Sequence, residues 1–114
     1  MSLILASNSQ IRSQMLAQAG VTFEACSPDF DEEEAKQAGL EGEELARFLA
    51  EGKASSIAGG PNKWVIGSDS TISVEGIRYS KPRDRGQAAE HLRAFSGRTM
   101  LLSSAVALAM DGLI

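Results

Sequence analysis

Leu3-Ile4-Leu5-Ala6-Ser7-Asn8-Ser9-Gln10-Ile11-Arg12 is the stretch from which the architecture is read. Three apolar residues make a short buried strand, Ala6 to Ser9 turn the chain, and an amphipathic run starts at Gln10. Ser9 suits the N-cap of that helix, because its hydroxyl can accept from a free N–H of the first turn. A strand feeding a helix in this way aims unpaired N–H groups and the positive end of the helix dipole at one point, a seat for phosphate. Ser7 and Arg12 add a hydroxyl and a guanidinium there. An ordinary capped strand–turn–helix has the same local sequence, so these ten residues leave both readings open.

Working outward, Ile11, Met15, Leu16 and Ala19 keep helical spacing and Gly20 marks a stop. Val21, Phe23 and Ala25 alternate as a second strand that Pro28 ends. Asp29 to Glu34 is either a solvated acidic loop or the first turn of a helix. A helix over 43–58 places Leu45, Phe48, Leu49 and Ile57 on one stripe. Gly52 inside it costs roughly 1 kcal/mol against alanine, which points to close approach of another group. After the breaker Gly59-Gly60-Pro61-Asn62, Trp64-Val65-Ile66 is the most strand-like run, and Gly67-Ser68-Asp69 lets the chain leave the sheet. Ile72 to Tyr79 forms a hairpin about Glu75-Gly76. A helix over 85–95 turns Ala88, Leu92 and Phe95 inward, and Ser96-Gly97 closes it. Residues 99–110 then alternate large and small side chains, as a long strand with one crowded face. Asp111-Gly112 signals a turn that only Leu113 and Ile114 follow, the expectation being the front part of a longer protein.

Composition narrows the function classes. With 114 residues, 43% of them hydrophobic and 23% charged, the chain fits a soluble globular domain. A net charge of −4 gives no basic field for nucleic acid, so a polyanion must be met by a few cations focused in a cleft. The single cysteine, Cys26, excludes an intrachain disulfide and fits a reducing cytoplasm. No apolar run approaches membrane-spanning length, and no basic lead-in precedes the first strand.

Strand ends in an α/β sheet gather sites, and here they deliver Ser7, Arg12 and Asp69, with Lys53, Lys81 and Glu32 nearby in sequence order. Cations that hold phosphate oxygens, with carboxylates that hold a divalent ion or activate water, are the parts of a metal–polyphosphate site. Each part also has a plain reading: solvated surface lysine or arginine, a turn aspartate bonding backbone, one acid in an acidic run. His91 has no Cys or second His to make a zinc set. Gly52-Lys53-Ala54 is not a P-loop, which needs glycine at Arg47 and Ser or Thr at Ala54. Asp29 and Asp31 do not open a calcium loop, because Glu34 stands where its turn requires glycine. Spacing and composition therefore support an anion-binding α/β protein.

The same residues resemble a family. Leu5-Ala6-Ser7-x-Ser9-x-x-Arg12, Gly20-x-x-Phe23 and Asp31-Glu32 look like the opening of Maf-like nucleotide pyrophosphatases. Leu49-Ala50-x-x-Lys53-Ala54, Ile66-Gly67-x-Asp69, Lys81-Pro82 and Ser96-Gly97-Arg98 continue the likeness across nearly the whole chain. The resemblance implies a mixed sheet flanked by helices around a nucleotide cleft, related to inosine-triphosphate pyrophosphatases. Residues 1–114 would then be a single domain truncated on its C-terminal side, lacking about 80 residues by usual domain sizes. It implies hydrolysis of a nucleoside triphosphate to monophosphate and pyrophosphate with a divalent cation, Mg²⁺ or Mn²⁺. Asp69 matches the family's proton acceptor, and Ser7, Arg12, Glu32, Lys53 and Lys81 match its other cleft residues. On this expectation Ser7, Ser9, Arg12, Lys53 and Lys81 would bind the substrate's phosphates, and Glu32 with Asp69 would hold the metal.

The chain departs from the family pattern at three places. Many members carry Pro-Arg-Arg where this chain has Gln10-Ile11-Arg12, Thr or Gln where it has Ser70, and His where it has Met100. Ile11 and Ser70 fall at positions the family links to base choice, so the base stays open. The partner expected is a nucleoside triphosphate, with no nucleic acid or membrane, in a cytoplasmic protein able to form a homodimer. A nucleotide-binding regulator of septum formation without turnover is the rival from another class, and a folded fragment that does neither is the third.

Overall fold

The computed structural model describes residues 2–37, 39–57, 62–111, 113 and 114. Its axis is a twelve-residue strand, β3 (Lys63–Val74). Before it come β1 (Ser2–Ala6), α1 (Gln10–Gln18), β2 (Glu24–Cys26), α2 (Glu32–Lys36) and α3 (Gly42–Ser55). After it come β4 (Ile77–Tyr79), α4 (Arg85–Phe95) and β5 (Met100–Met110). β5 runs antiparallel along one edge of β3 for almost its whole length, from Trp64 opposite Met110 to Val74 opposite Met100. The other edge is shared. Parallel β1 covers Lys63 to Ile66 and antiparallel β4 covers Ile72 to Val74, with β2 outside β1. The result is a mixed sheet flanked by helices.

That shared edge has a gap. Among the described residues no strand pairs with Gly67–Thr71 on the side where β1 and β4 lie. β1 runs towards the gap from one end and β4 runs towards it from the other, because one is parallel to β3 and the other antiparallel. The turn after β1 and the loop after β4 therefore meet beside the middle of β3.

α3 packs across β3 and β5, burying Leu45, Ala46, Leu49, Ala50, Lys53 and Ala54 on one stripe. Ala50 and Ala54 join Ile4, Ala6, Val65, Ala107 and Ala109 in the main core. Small side chains on both sides allow a close approach, and at Gly67 it is closest: a Cβ there would lie 2.3 Å from the Ala50 carbonyl oxygen. Leu45 and Leu49 form a second cluster with Phe30 and Leu40, each leucine contributing about 1.5–3 kcal/mol by burial. Phe30 lies over Gly52, the close approach that this glycine signals in the sequence.

Several boundaries differ from the sequence reading, each for a visible reason. β3 does not end at Gly67-Ser68-Asp69, because β5 continues to pair with it there. β2 is only Glu24–Cys26, matched to the three positions of β1 it pairs. α3 stops at Ser55, so Ile57 lies outside it; Ala58 and the breaker residues Gly59 to Pro61 lie outside the described residues. Phe48 is half out, touching Phe30 at 6.2 Å between ring centroids. Leu92 is exposed, since α4 meets the sheet through His91 and Phe95 against Tyr79. On β5 the small residues face α3, and Leu102, Val106 and Leu108 are exposed. Glu75 and Gly76 both take positive φ, as the two-residue hairpin turn requires. The turn at Asp111 brings Leu113 back to bridge Met110, with Gly112 outside the described residues.

Candidate functional site

The gap in the sheet opens into a cleft of about 840 Å³, within the range of small-molecule sites. Ser7 reaches it from the end of β1. Its backbone N–H donates to the Cys26 carbonyl at 2.9 Å, which ties the turn to β2. Its Oγ accepts from the Ser9 N–H at 3.0 Å, leaving the hydroxyl proton free to be donated. Ser9 is the N-cap of α1, its Oγ accepting from the Arg12 N–H at 3.2 Å. α1 itself buries no residue. Ile11 and Met15, expected on its apolar stripe, are exposed at the cleft mouth, and Arg12 lines the cleft.

Lys53 comes from the opposite side and is buried. It falls one turn beyond Leu45 and Leu49 on the inward stripe of α3, so its ammonium is held under the sheet's middle. A buried cation is tolerable only when paired, and Lys53 has two partners. Its Nζ donates to Asp69 Oδ2 at 3.0 Å and forms an ion pair with Glu32 at the start of α2. Asp69 Oδ1 accepts from the Ser70 N–H at 2.7 Å. Asp69 does bond neighbouring backbone, but within a strand and with its second oxygen committed to Lys53. One oxygen on an amide and one on an ammonium fix the carboxylate plane beside the unpaired edge of β3.

Lys81 closes the cleft from the loop after β4. Ser70 lines it too, with its Oγ 2.8 Å from Ser104 Oγ on β5. All nine residues singled out in the sequence (Ser7, Ser9, Ile11, Arg12, Glu32, Lys53, Asp69, Ser70 and Lys81) thus line one cavity. The sequence reading differs on one point of pairing: Lys53, expected to face phosphate, faces two carboxylates.

Residues not foreseen also line it, among them Lys36, Thr71, Arg78 and Tyr79. Thr71 donates to the Gly42 carbonyl at 3.0 Å and so pins the start of α3. The signal for Arg78 is present in the sequence: on a strand, it must face away from Tyr79, and Tyr79 is the apolar member of the pair. Among the described residues no three His, Cys, Asp or Glu side chains gather as a metal set, and no helix is long and apolar enough to cross a membrane.

The family model described as Maf-like protein matches residues 2–112. The chain belongs to the Maf-like protein family. It is 46% identical over 113 residues to a nucleoside triphosphate pyrophosphatase of Nitrobacter hamburgensis, covering 96% of this chain and 56% of that protein. It is 41% identical over 115 residues to a 7-methyl-GTP pyrophosphatase of Brucella suis, covering 96% of this chain and 58% of the relative. A 7-methyl-GTP pyrophosphatase of Rhizobium etli is 40% identical over 117 residues, 98% of this chain and 59% of its own. The chain therefore spans a little over half the length of these Maf relatives, and similarity to them does not separate the two named substrate classes.

Proposed function

We propose that this Maf-family chain supplies one wall of a nucleoside triphosphate pyrophosphatase site, cleaving between the α- and β-phosphates. The observation that carries the proposal is the Asp69–Lys53–Glu32 trio, held rigidly in the same cleft as Ser7, Ser9, Arg12 and Lys81. Carboxylates facing uncommitted cations across a cavity are suited to activating water beside a polyphosphate. The fold proposed for the whole protein is the inosine-triphosphate-pyrophosphatase type.

In this reading Arg12, Lys81 and the capped end of α1 hold the triphosphate, with the Ser7 hydroxyl donating to a phosphate oxygen. Asp69 orients a water towards the α-phosphorus and takes its proton as the P–O bond to pyrophosphate breaks. Lys53 keeps the Asp69 carboxylate pointed, and Ile11 and Ser70 border the region where a base would lie. Glu32 and Asp69 fit a hard divalent cation such as Mg²⁺ or Mn²⁺: both are oxygen donors, and they already converge on one positive charge, the Lys53 ammonium. When bound, such an ion would neutralise phosphate charge and polarise the phosphorus–oxygen bonds.

The test is pyrophosphate release by the full-length protein from a panel of canonical and modified nucleoside triphosphates, with Mg²⁺ or Mn²⁺. The expected result is conversion of at least one base class to monophosphate and pyrophosphate in equal amounts. Nucleotide-dependent rises in Tm with no turnover on any substrate would overturn it in favour of a binding regulator.

A further inference from the structure

The cations of the cleft are not equally available. Lys53 is neutralised by two carboxylates, leaving that trio with a net charge of −1. Lys36 lies 3.6 Å from Glu33. Among the described residues, Arg12, Arg78 and Lys81 have no carboxylate within 4 Å. Of these three, Arg78 is the one that neither the sequence motifs nor the reading above employs.

Its position is set by the sheet. β4 places Arg78 opposite Ser73, three residues before Lys81 along the chain. Tyr79 packs edge-on against Phe95 and His91 of α4, with centroids 4.7 and 5.1 Å apart. Strand alternation sends Arg78 to the other face, the one shared with Asp69 and α3. An exposed arginine is ordinary. One that lines a cavity with no anion against it is less so, because that cavity's own carboxylates are already spent on Lys53. The other charged side chains lining the cleft are four cations (Arg12, Lys36, Lys53 and Lys81) and two carboxylates (Glu32 and Asp69), a sum of +2. A triphosphate tail carries about four negative charges, roughly two of them on the terminal phosphate. A divalent cation at Glu32 and Asp69 would meet part of that charge beside those carboxylates, whereas Arg78 offers an unpaired charge on the β4 side of the cleft.

We infer that Arg78 is a phosphate-binding residue of this cleft, engaging the terminal end of a polyphosphate and favouring triphosphates over monophosphates. The inference rests on the triphosphate reading but concerns binding alone. A guanidinium presents two parallel N–H donors to phosphate oxygens, which a lysine cannot copy.

Titration calorimetry on the full-length protein tests it, with inorganic tripolyphosphate, a nucleoside triphosphate and the matching monophosphate as probes. Arg78→Gln should weaken both triphosphate-bearing probes about tenfold and the monophosphate less than twofold. Arg78→Lys should fall between Arg78→Gln and the parent. Arg93→Gln, an exposed position on α4 outside the cleft with the same loss of charge, should change nothing. Retained monophosphate binding by Arg78→Gln shows that the variant is folded. Equal weakening of all three probes, no weakening of tripolyphosphate, or the same loss in Arg93→Gln would overturn the inference. A parent protein that binds tripolyphosphate through Arg78 but releases no pyrophosphate from any substrate would sink the pyrophosphatase reading and leave this one standing.

Discussion

α1 and α3 both bring a cation to the cleft, and they are anchored in opposite ways. α3 buries six residues as it packs on β3 and β5, and Lys53 is one of the six. α1 buries none, and Arg12 sits where it does because two serine hydroxyls accept backbone N–H groups in and just after the turn that leads into it. The group proposed for proton transfer is thus tied to the core, while those proposed to hold a charged, mobile tail sit on an element held by its cap. In the proposed reaction, chemistry would belong to the α3–β3 side and ligand capture to the α1 side. Variants on the two sides should therefore separate turnover from binding.

The largest separation is expected at Asp69. Asp69→Asn keeps the shape and the contact with the Ser70 N–H, but an amide takes no proton and pairs poorly with Lys53. Turnover should fall by about 10²–10⁴, the usual worth of a general base, while triphosphate Kd changes little. Retention of more than about a tenth of kcat would place the base elsewhere.

Packing beneath the site gives the next effect. At Gly67 an added Cβ meets backbone, 2.3 Å from the Ala50 oxygen and 2.6 Å from the Ala54 nitrogen. Neither atom can move without lifting α3, so Gly67→Ala should cost about 3 kcal/mol, the upper end for overpacking, and lower Tm. At Gly52 the obstacle is the Phe30 ring, a side chain that can shift. Gly52→Ala also gains about 1 kcal/mol of helix propensity, so its net change should stay small. Equal Tm losses for the two alanines would mean that α3 does not bear on β3 as described.

How far these features can be read from the sequence depends on what signals them. Elements bounded by local chemistry are legible: the Ser9 cap, the Glu75-Gly76 hairpin and the 85–95 helix appear where their residues place them. The course of β3 is not, because Gly67-Ser68-Asp69 has turn composition and only pairing with β5, over thirty residues away, keeps it extended. Gly67 is there for α3, which a local reading cannot know. The inward stripe of α3 is legible in Leu45 and Leu49, yet its continuation to Lys53 suggests phosphate contact instead, since a buried lysine is intelligible only once Glu32 and Asp69 are seen beside it. That the gap between β1 and β4 gathers the chosen residues follows from strand directions, which no single segment encodes.

The smallest effect is expected at Ser9, and it tests the other half of the comparison. Ser9→Ala removes the hydroxyl that accepts the Arg12 N–H, a loss of about 1 kcal/mol for a typical cap. Because α1 buries no residue, little of the core's stability depends on its being formed. The cost should therefore appear as local opening rather than global unfolding. Amide exchange in Gln10–Gln18 should quicken about fivefold, the factor that 1 kcal/mol represents, with Tm nearly unchanged. Triphosphate affinity should fall by a similar factor, since Arg12 is presented only while the first turn is closed, and kcat at saturation should hold. A several-degree drop in Tm would show that α1 is coupled to the core after all, and that the division between a rigid chemical side and a capped binding side is wrong.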